Sequence, residues 1–284
     1  MGGKKKGGGD KKKGKKEGDE VDMSVDNFWK LYKKKCVEYQ CDVSKKIKAD
    51  YEAFVEDGNE IKKFHNWEEL GWPGVKAMCE ALKQVGYPHC QSIRLWKTYC
   101  EDEGLRAICE FIQRTLTCLC LELIDNKITH LGCEFLGRTL KPGPACPPIV
   151  FLKLDHNMFG SDGCNALCEG LKTNEMLKTL SLCYCGIDQR ASRSLFEVLI
   201  FQKSKLEELI LTGNHLMNEG VIEVLNGVSI AKELKKIYLA DNQFNEMPEV
   251  LESIKTCMTR NKTLARYDFR NNDFKDEGKL TNIE

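Results

Sequence analysis

At 284 residues, 42% hydrophobic and 30% charged, the chain is long enough to bury a core and too apolar to be disordered. No apolar run approaches the roughly 18–20 residues of a membrane span, and the lysine- and glycine-rich start lacks the apolar stretch of a secretory signal, which points to the cytosol. The net charge of zero hides a division: residues 1–16 carry eight lysines against one aspartate, whereas the remainder holds 35 basic and 42 acidic side chains, an acidic body without the positive footprint that nucleic acid requires.

Residues 1–20 are low-complexity Lys/Gly and form an arm expected to be disordered. Within it, Gly9 to Lys15 imitates a phosphate-binding loop. Lys16 replaces the hydroxyl that would hold a metal, and neither strand nor helix flanks the segment, so phosphate binding is not expected. Met1-Gly2 could open a myristoylation signal, but Lys6 stands where Ser or Thr is preferred.

Residues 21–70 predict a helical cap. Phe28, Leu31, Tyr32, Cys36 and Tyr39 recur at helical spacing behind Ser24 and Asp26 as candidate N-caps. A second helix fits Ser44 to Val55, with Ile47, Tyr51, Phe54 and Val55 on one face.

Residues 71–284 are built from a repeat. The pattern L-x-L-x-x-N-x-φ occurs at Leu121 to Ile128, Leu152 to Phe159, Leu209 to Leu216, Ile237 to Phe244 and Tyr267 to Phe274. Two variants carry Thr98 and Cys185 in place of the asparagine. The anchors fall at 98, 126, 157, 185, 214, 242 and 272, seven units in phase. A second template, Gly-x-x-Ala-x-Cys-Glu, recurs at Gly74, Gly104 and Gly163 and suits the buried stripe of a short helix. The Gly74 copy has no recognisable strand before it and reads as a half repeat. An insertion at Lys141 to Pro148 lengthens one connection, and Pro248 replaces the glycine that opens the other helices.

Alternating leucines make a short strand with one buried face, and one unit cannot cover its own leucines. Stability must come from stacking. The pattern resembles the cysteine-containing, ribonuclease-inhibitor-like leucine-rich-repeat family. That resemblance implies a right-handed α/β solenoid arc, with a parallel sheet inside, helices outside and a helical N-terminal cap.

All 15 cysteines are expected to be reduced thiols packed as small hydrophobes. Cys118/Cys120 and Cys183/Cys185 form C-x-C pairs, whose side chains would share one face of a strand. Neither pair has the second close pair of a zinc site, so neither a metal nor a cofactor is expected. The five histidines lie at scattered phases, and the sequence nominates no catalytic group.

Positions flanking the strand leucines line the concave face. Arg94, Trp96, Ile124, Asp155, Ile210, Tyr238 and Arg270 are the candidate partner-binding residues, since large apolar groups beside charges mark a binding patch. Non-catalytic protein binding is the expected function. The basic arm, Phe28 to Tyr32 and the repeats resemble small axonemal proteins, which implies an adaptor of the ciliary axoneme or microtubule cytoskeleton, with the arm on acidic tubulin tails. Regulation or inhibition of a partner enzyme is the alternative that the family resemblance implies.

Overall fold

The computed structural model describes residues 23–275; the basic arm and the phosphate-loop imitation lie outside them. The chain opens with two helices, α1 (Ser24–Glu38) and α2 (Lys45–Asp57). Strand and helix then alternate: β1 (Lys63–Asn66), α3 (Gly71–Val85), β2 (Ser92–Trp96), α4 (Glu101–Thr115), β3 (Cys120–Ile124) and α5 (His130–Leu140). The order continues with β4 (Phe151–Lys153), α6 (Gly160–Leu171), β5 (Thr179–Ser181), α7 (Ser192–Ile200), β6 (Glu208–Ile210), α8 (Met217–Ile230), β7 (Lys236–Tyr238), α9 (Pro248–Arg260) and β8 (Arg266–Asp268). All strands lie in one parallel sheet in chain order, each stacked on the next.

The sheet begins one strand earlier than the repeat pattern predicts. Phe64 pairs with Ile93 and Asn66 with Leu95, so the helix at Gly74 belongs to a full unit rather than a half repeat, and the sheet reaches into residues assigned to the cap. Asn66 stands where the later strands have a second leucine. It can do so because the cap supplies a partner: its Nδ2 donates to Ser44 Oγ at 2.8 Å.

The cap is sealed onto this first unit by aromatic packing. Phe28 meets Phe64 edge-on at 5.5 Å and Tyr87 at 5.8 Å, while Trp29 stacks on Tyr51 at 4.9 Å. Tyr32 Oη accepts the Ser44 N–H, and burial pushes its hydroxyl pKa far above the ordinary value. Ser44, read from the sequence as the first residue of the second helix, instead caps α2 and accepts from Ile47 N. The other end assignments differ: α1 starts at Ser24 without a side-chain cap, and Val55 is exposed rather than on the buried face. Pro248 occupies the first turn of α9, where its missing N–H costs nothing.

Each leucine of the repeat faces the interior, and the anchor after it stitches its own repeat to the preceding one. Asn157 Nδ2 donates to Leu123 O and Leu154 O, while its Oδ1 accepts from Asn126 N and Ile128 N, at 2.7–3.1 Å. Asn126 and Asn214 repeat the arrangement. Asn242 keeps both donor bonds, but its Oδ1 is buried without a partner. Cys185 keeps only the donor half, with Sγ directed to Leu154 O and Cys183 O. The residue before each anchor, from Lys97 to Asn271, has positive φ, and Gly213 is the one glycine among them. Six non-glycine residues therefore hold a costly left-handed turn so that the anchor can point inward.

On the outside, α5 and α6 touch backbone to backbone. A Cβ on Gly170 would lie 1.9 Å from Gly137 O, which no side-chain shift can relieve. Gly170→Ala is expected to lower the unfolding free energy by about 1–3 kcal/mol despite the better helix propensity of alanine. Gly143→Ala, with nothing within 4 Å, should be near neutral. Denaturant midpoints of the two variants check the contrast.

Candidate functional site

The concave face is a grid of rows, each row one position of the repeat read across the strands. Between the leucines runs the row His65, Arg94, Glu122, Lys153, Ser181, Ile210, Tyr238 and Asp268. Beside it, Trp96 pairs with Ile124, and the positions that continue this row after the strands end are Asp155, Cys183, Thr212, Ala240 and Arg270.

The structure separates the candidate residues into two groups. Trp96, 57% exposed, lies next to half-buried Ile124, with Arg94 alongside and 3.5 Å from Glu122. Ile210 and Tyr238 face one another on β6 and β7. Neighbouring strands are about 4.8 Å apart, so Trp96 and Tyr238 sit roughly 24 Å from each other. Between them the face is polar.

Asp155 is committed to that polar stretch. It is buried, accepts Ser181 Oγ at 2.7 Å and Cys183 N at 3.0 Å, and lies 3.3 Å from Lys153 Nζ. Arg270 is exposed and holds Asp268 through two bonds, at 2.9 and 2.7 Å, and this guanidinium keeps the Asp268 carboxyl below its ordinary range.

A further tryptophan belongs to the first group. Trp67 follows Asn66 as Trp96 follows Leu95, so the two indoles continue one row, and Trp67 is 66% exposed. The leucine pattern misses it because β1 reads Phe64-x-Asn66. The only signal is phase: one repeat length back from Ile93 falls on β1. Along the loop side of the face, His156 stacks on Tyr184 at 5.0 Å, above Gly213, where a Cβ would lie 2.1 Å from the Tyr184 ring. Tyr184, Met158, His215 and Asp241 line a shallow hollow of about 240 Å³ there.

Chemistry of the catalytic kind gains little. His65 Nε2 contacts Ser92 Oγ at 3.0 Å, but no carboxylate bonds the ring among the described residues. Burial first, then Arg94 and Lys63, hold the imidazole below its ordinary pKa. The contact ties β1 to β2. No group of three metal-ligating side chains forms among the described residues. The C-x-C pairs do not share a face. Cys118 precedes β3 and is buried while Cys120 is half-buried on the strand; Cys185 fills the anchor slot in the core while Cys183 is half-buried. Neither pair lies within a strand, so alternation does not govern it.

No family model matches the chain. Among curated proteins it is 33% identical over 154 residues to the human NACHT, LRR and PYD domains-containing protein 13, covering 54% of this chain and 14% of that protein. It is 28% identical to the ribonuclease inhibitors of mouse, over 180 residues, and of pig, over 208 residues. These matches cover 62% and 63% of this chain, and 38% and 45% of those proteins. The chain is a leucine-rich-repeat protein. Its arc therefore spans less than half the length of these relatives. Among the described residues of the arc, no helix is long and apolar enough to cross a membrane.

The cysteines of the repeat are packing groups. All fifteen are free, eleven of them buried and four, Cys41, Cys120, Cys146 and Cys183, half-buried. Burial pushes the Cys183 thiol up to about 11 and raises Cys41 and Cys146. Thiol titration of denatured, unreduced protein should find nearly all fifteen. In native protein near neutral pH the four half-buried thiols should react first, slowly. Several native disulfides would overturn this account and the cytosolic expectation with it.

Proposed function

We propose that this chain is a non-catalytic protein-binding scaffold that holds its partner on the concave face. The observation that carries the reading is the pair of apolar groups, Trp96 with Ile124 and Ile210 with Tyr238, set on an uncovered sheet whose charges are paired among themselves. Apolar side chains on a rigid surface are where alanine substitutions cost binding energy, and internally paired charges contribute register more than affinity. Similarity to ribonuclease inhibitors supports the same kind of work.

The finer reading places the scaffold in the cytoplasm, as an adaptor of the ciliary axoneme or microtubule cytoskeleton. The observation favouring it is charge: eight lysines against one aspartate in residues 1–16, joined to an acidic body. A short basic arm suits acidic tubulin tails, and such attraction is screened by salt. The alternative is regulation or inhibition of an enzyme. The match to the mouse ribonuclease inhibitor favours it, although the chain covers only 38% of that protein. Proximity labelling in ciliated cells separates the two: tubulin and dynein neighbours support the first, nucleases or small GTPases the second.

Against a partner so identified, Trp96→Ala and Tyr238→Ala are each expected to weaken binding by about 2 kcal/mol with little change in melting temperature. Unfolding without a selective binding defect would mean that the rings are core. Deleting residues 1–16 should weaken cosedimentation with microtubules, and added salt should mimic the deletion. Cosedimentation indifferent to both would leave the enzyme-regulator reading ahead.

A further inference from the structure

We propose that the N-terminal end of the concave face takes an amphipathic α-helix of the partner, laid across the strands on Trp67, Trp96 and Ile124, with an acidic flank toward Lys63, Arg94 and Lys153. The inference rests on the concave-face reading above and specifies the shape and charge of what that face holds.

The spacing of the row selects a helix. Trp96 and Ile124 pair on β2 and β3, and Trp67 follows the last residue of β1 in the same register, with Trp67 and Trp96 66% and 57% exposed. Three adjacent parallel strands place such positions about 4.8 Å apart, or roughly 10 Å over two steps. A helix crossing them at right angles returns a side chain to one face about every 5.4 Å, and covers about 10.5 Å from i to i+7. An extended segment returns one only about every 6.8 Å, and covers about 14 Å in two steps. One helical turn per repeat keeps register where a strand drifts by more than half a step.

Charge sets the orientation of the helix about its own axis. On the strand side of the row Lys63, Arg94 and Lys153 outnumber the carboxylates beside them, Glu122 at 3.5 Å from Arg94 and buried Asp155 at 3.3 Å from Lys153. On the loop side Glu68 and Asp125 are balanced by Lys97, which sits 3.5 Å from Asp125, and Lys127, which lies 4.2 Å over the Tyr99 ring. Glu68 Oε1 also accepts Lys46 N at the start of α2. A helix with carboxylates along one edge and none along the other is complementary to this surface. Beyond Ile124 the row turns to buried Asp155, whose carboxylate is already bonded, so the apolar contact ends after about two turns.

The test uses two display libraries selected in parallel against the full chain: a rigid helical scaffold with randomised surface positions, and unstructured linear peptides. Winners are measured against the unaltered chain and against Trp67→Ala, Trp96→Ala and Lys63→Glu, each first shown to melt like the parent. The expected result is enrichment from the helical library of apolar residues at i, i+3 or i+4, and i+7, with acidic residues on one flank. Affinity should fall at least tenfold for either tryptophan variant and severalfold for Lys63→Glu, and it should weaken as salt rises. Linear peptides that bind as tightly and depend on both tryptophans would overturn the helical occupant and leave the concave-face reading intact. Winners of either library that ignore Trp67, Trp96 and Tyr238, or no enrichment at all, would overturn both.

Discussion

Everything in this arc depends on the anchor side chain that closes each strand. A three-residue strand cannot hold itself in place, and its leucines have no core until the neighbouring unit arrives. Asparagine meets the need because its amide carries two donors and a carbonyl oxygen on one short, rigid arm. Asn157 uses all of these at once, reaching back to Leu123 and its own turn and accepting two N–H groups of the preceding repeat. Each such bond contributes about 1 kcal/mol, and leaving any of these buried groups unmet would cost more. The left-handed residue before each anchor is tolerated because that geometry delivers the amide to the interior.

The same device explains the character of the concave face. With strand ends fixed from inside, the outward rows need no further stabilisation, and their side chains are free to pair or to stand bare. Across much of the face they pair: Arg94 with Glu122, Lys153 with Asp155, Lys236 with Glu208 and Arg270 with Asp268. The bare residues are therefore informative. Trp67 and Trp96 stand exposed, and Ile210 and Tyr238 half-buried, without any such partner on the face.

Much of this organisation is legible in the sequence, and the exceptions have physical causes. Leucine alternation and the spacing of anchors place the strands from β2 onward and orient Arg94, Trp96, Ile210 and Tyr238 outward, because period-two burial fixes both faces at once. β1 escapes because its interior is completed by the cap: Asn66 replaces a leucine once Ser44 can bond it, and Trp67 is lost with it. Asp155 occupies a binding position by register but is buried in use, since only the structure reveals Ser181 and the Cys183 amide beside it. The close contact of Gly137 and Gly170 has no sequence signature beyond two glycines in neighbouring helices.

Cys185 deserves a mechanical reading. Set between Asn157 and Asn214, it can give a hydrogen but has no carbonyl oxygen to receive the amides of the preceding turn, and Phe159 N bonds Asn157 O instead. Sulfur bonds of 3.3–3.4 Å replace amide bonds at this joint, with Asp155 spanning it from the open side. The joint lies between β4 and β5, with four strands on either hand. Two blocks of four strands thus meet at a joint with fewer amide bonds than those at Asn157 or Asn214, crossed by the backbone bonds of Leu154 N, His156 N and Gly160 N. The tryptophan group rides on one block and the Ile210–Tyr238 group on the other. A partner long enough to grip both would act as a splint.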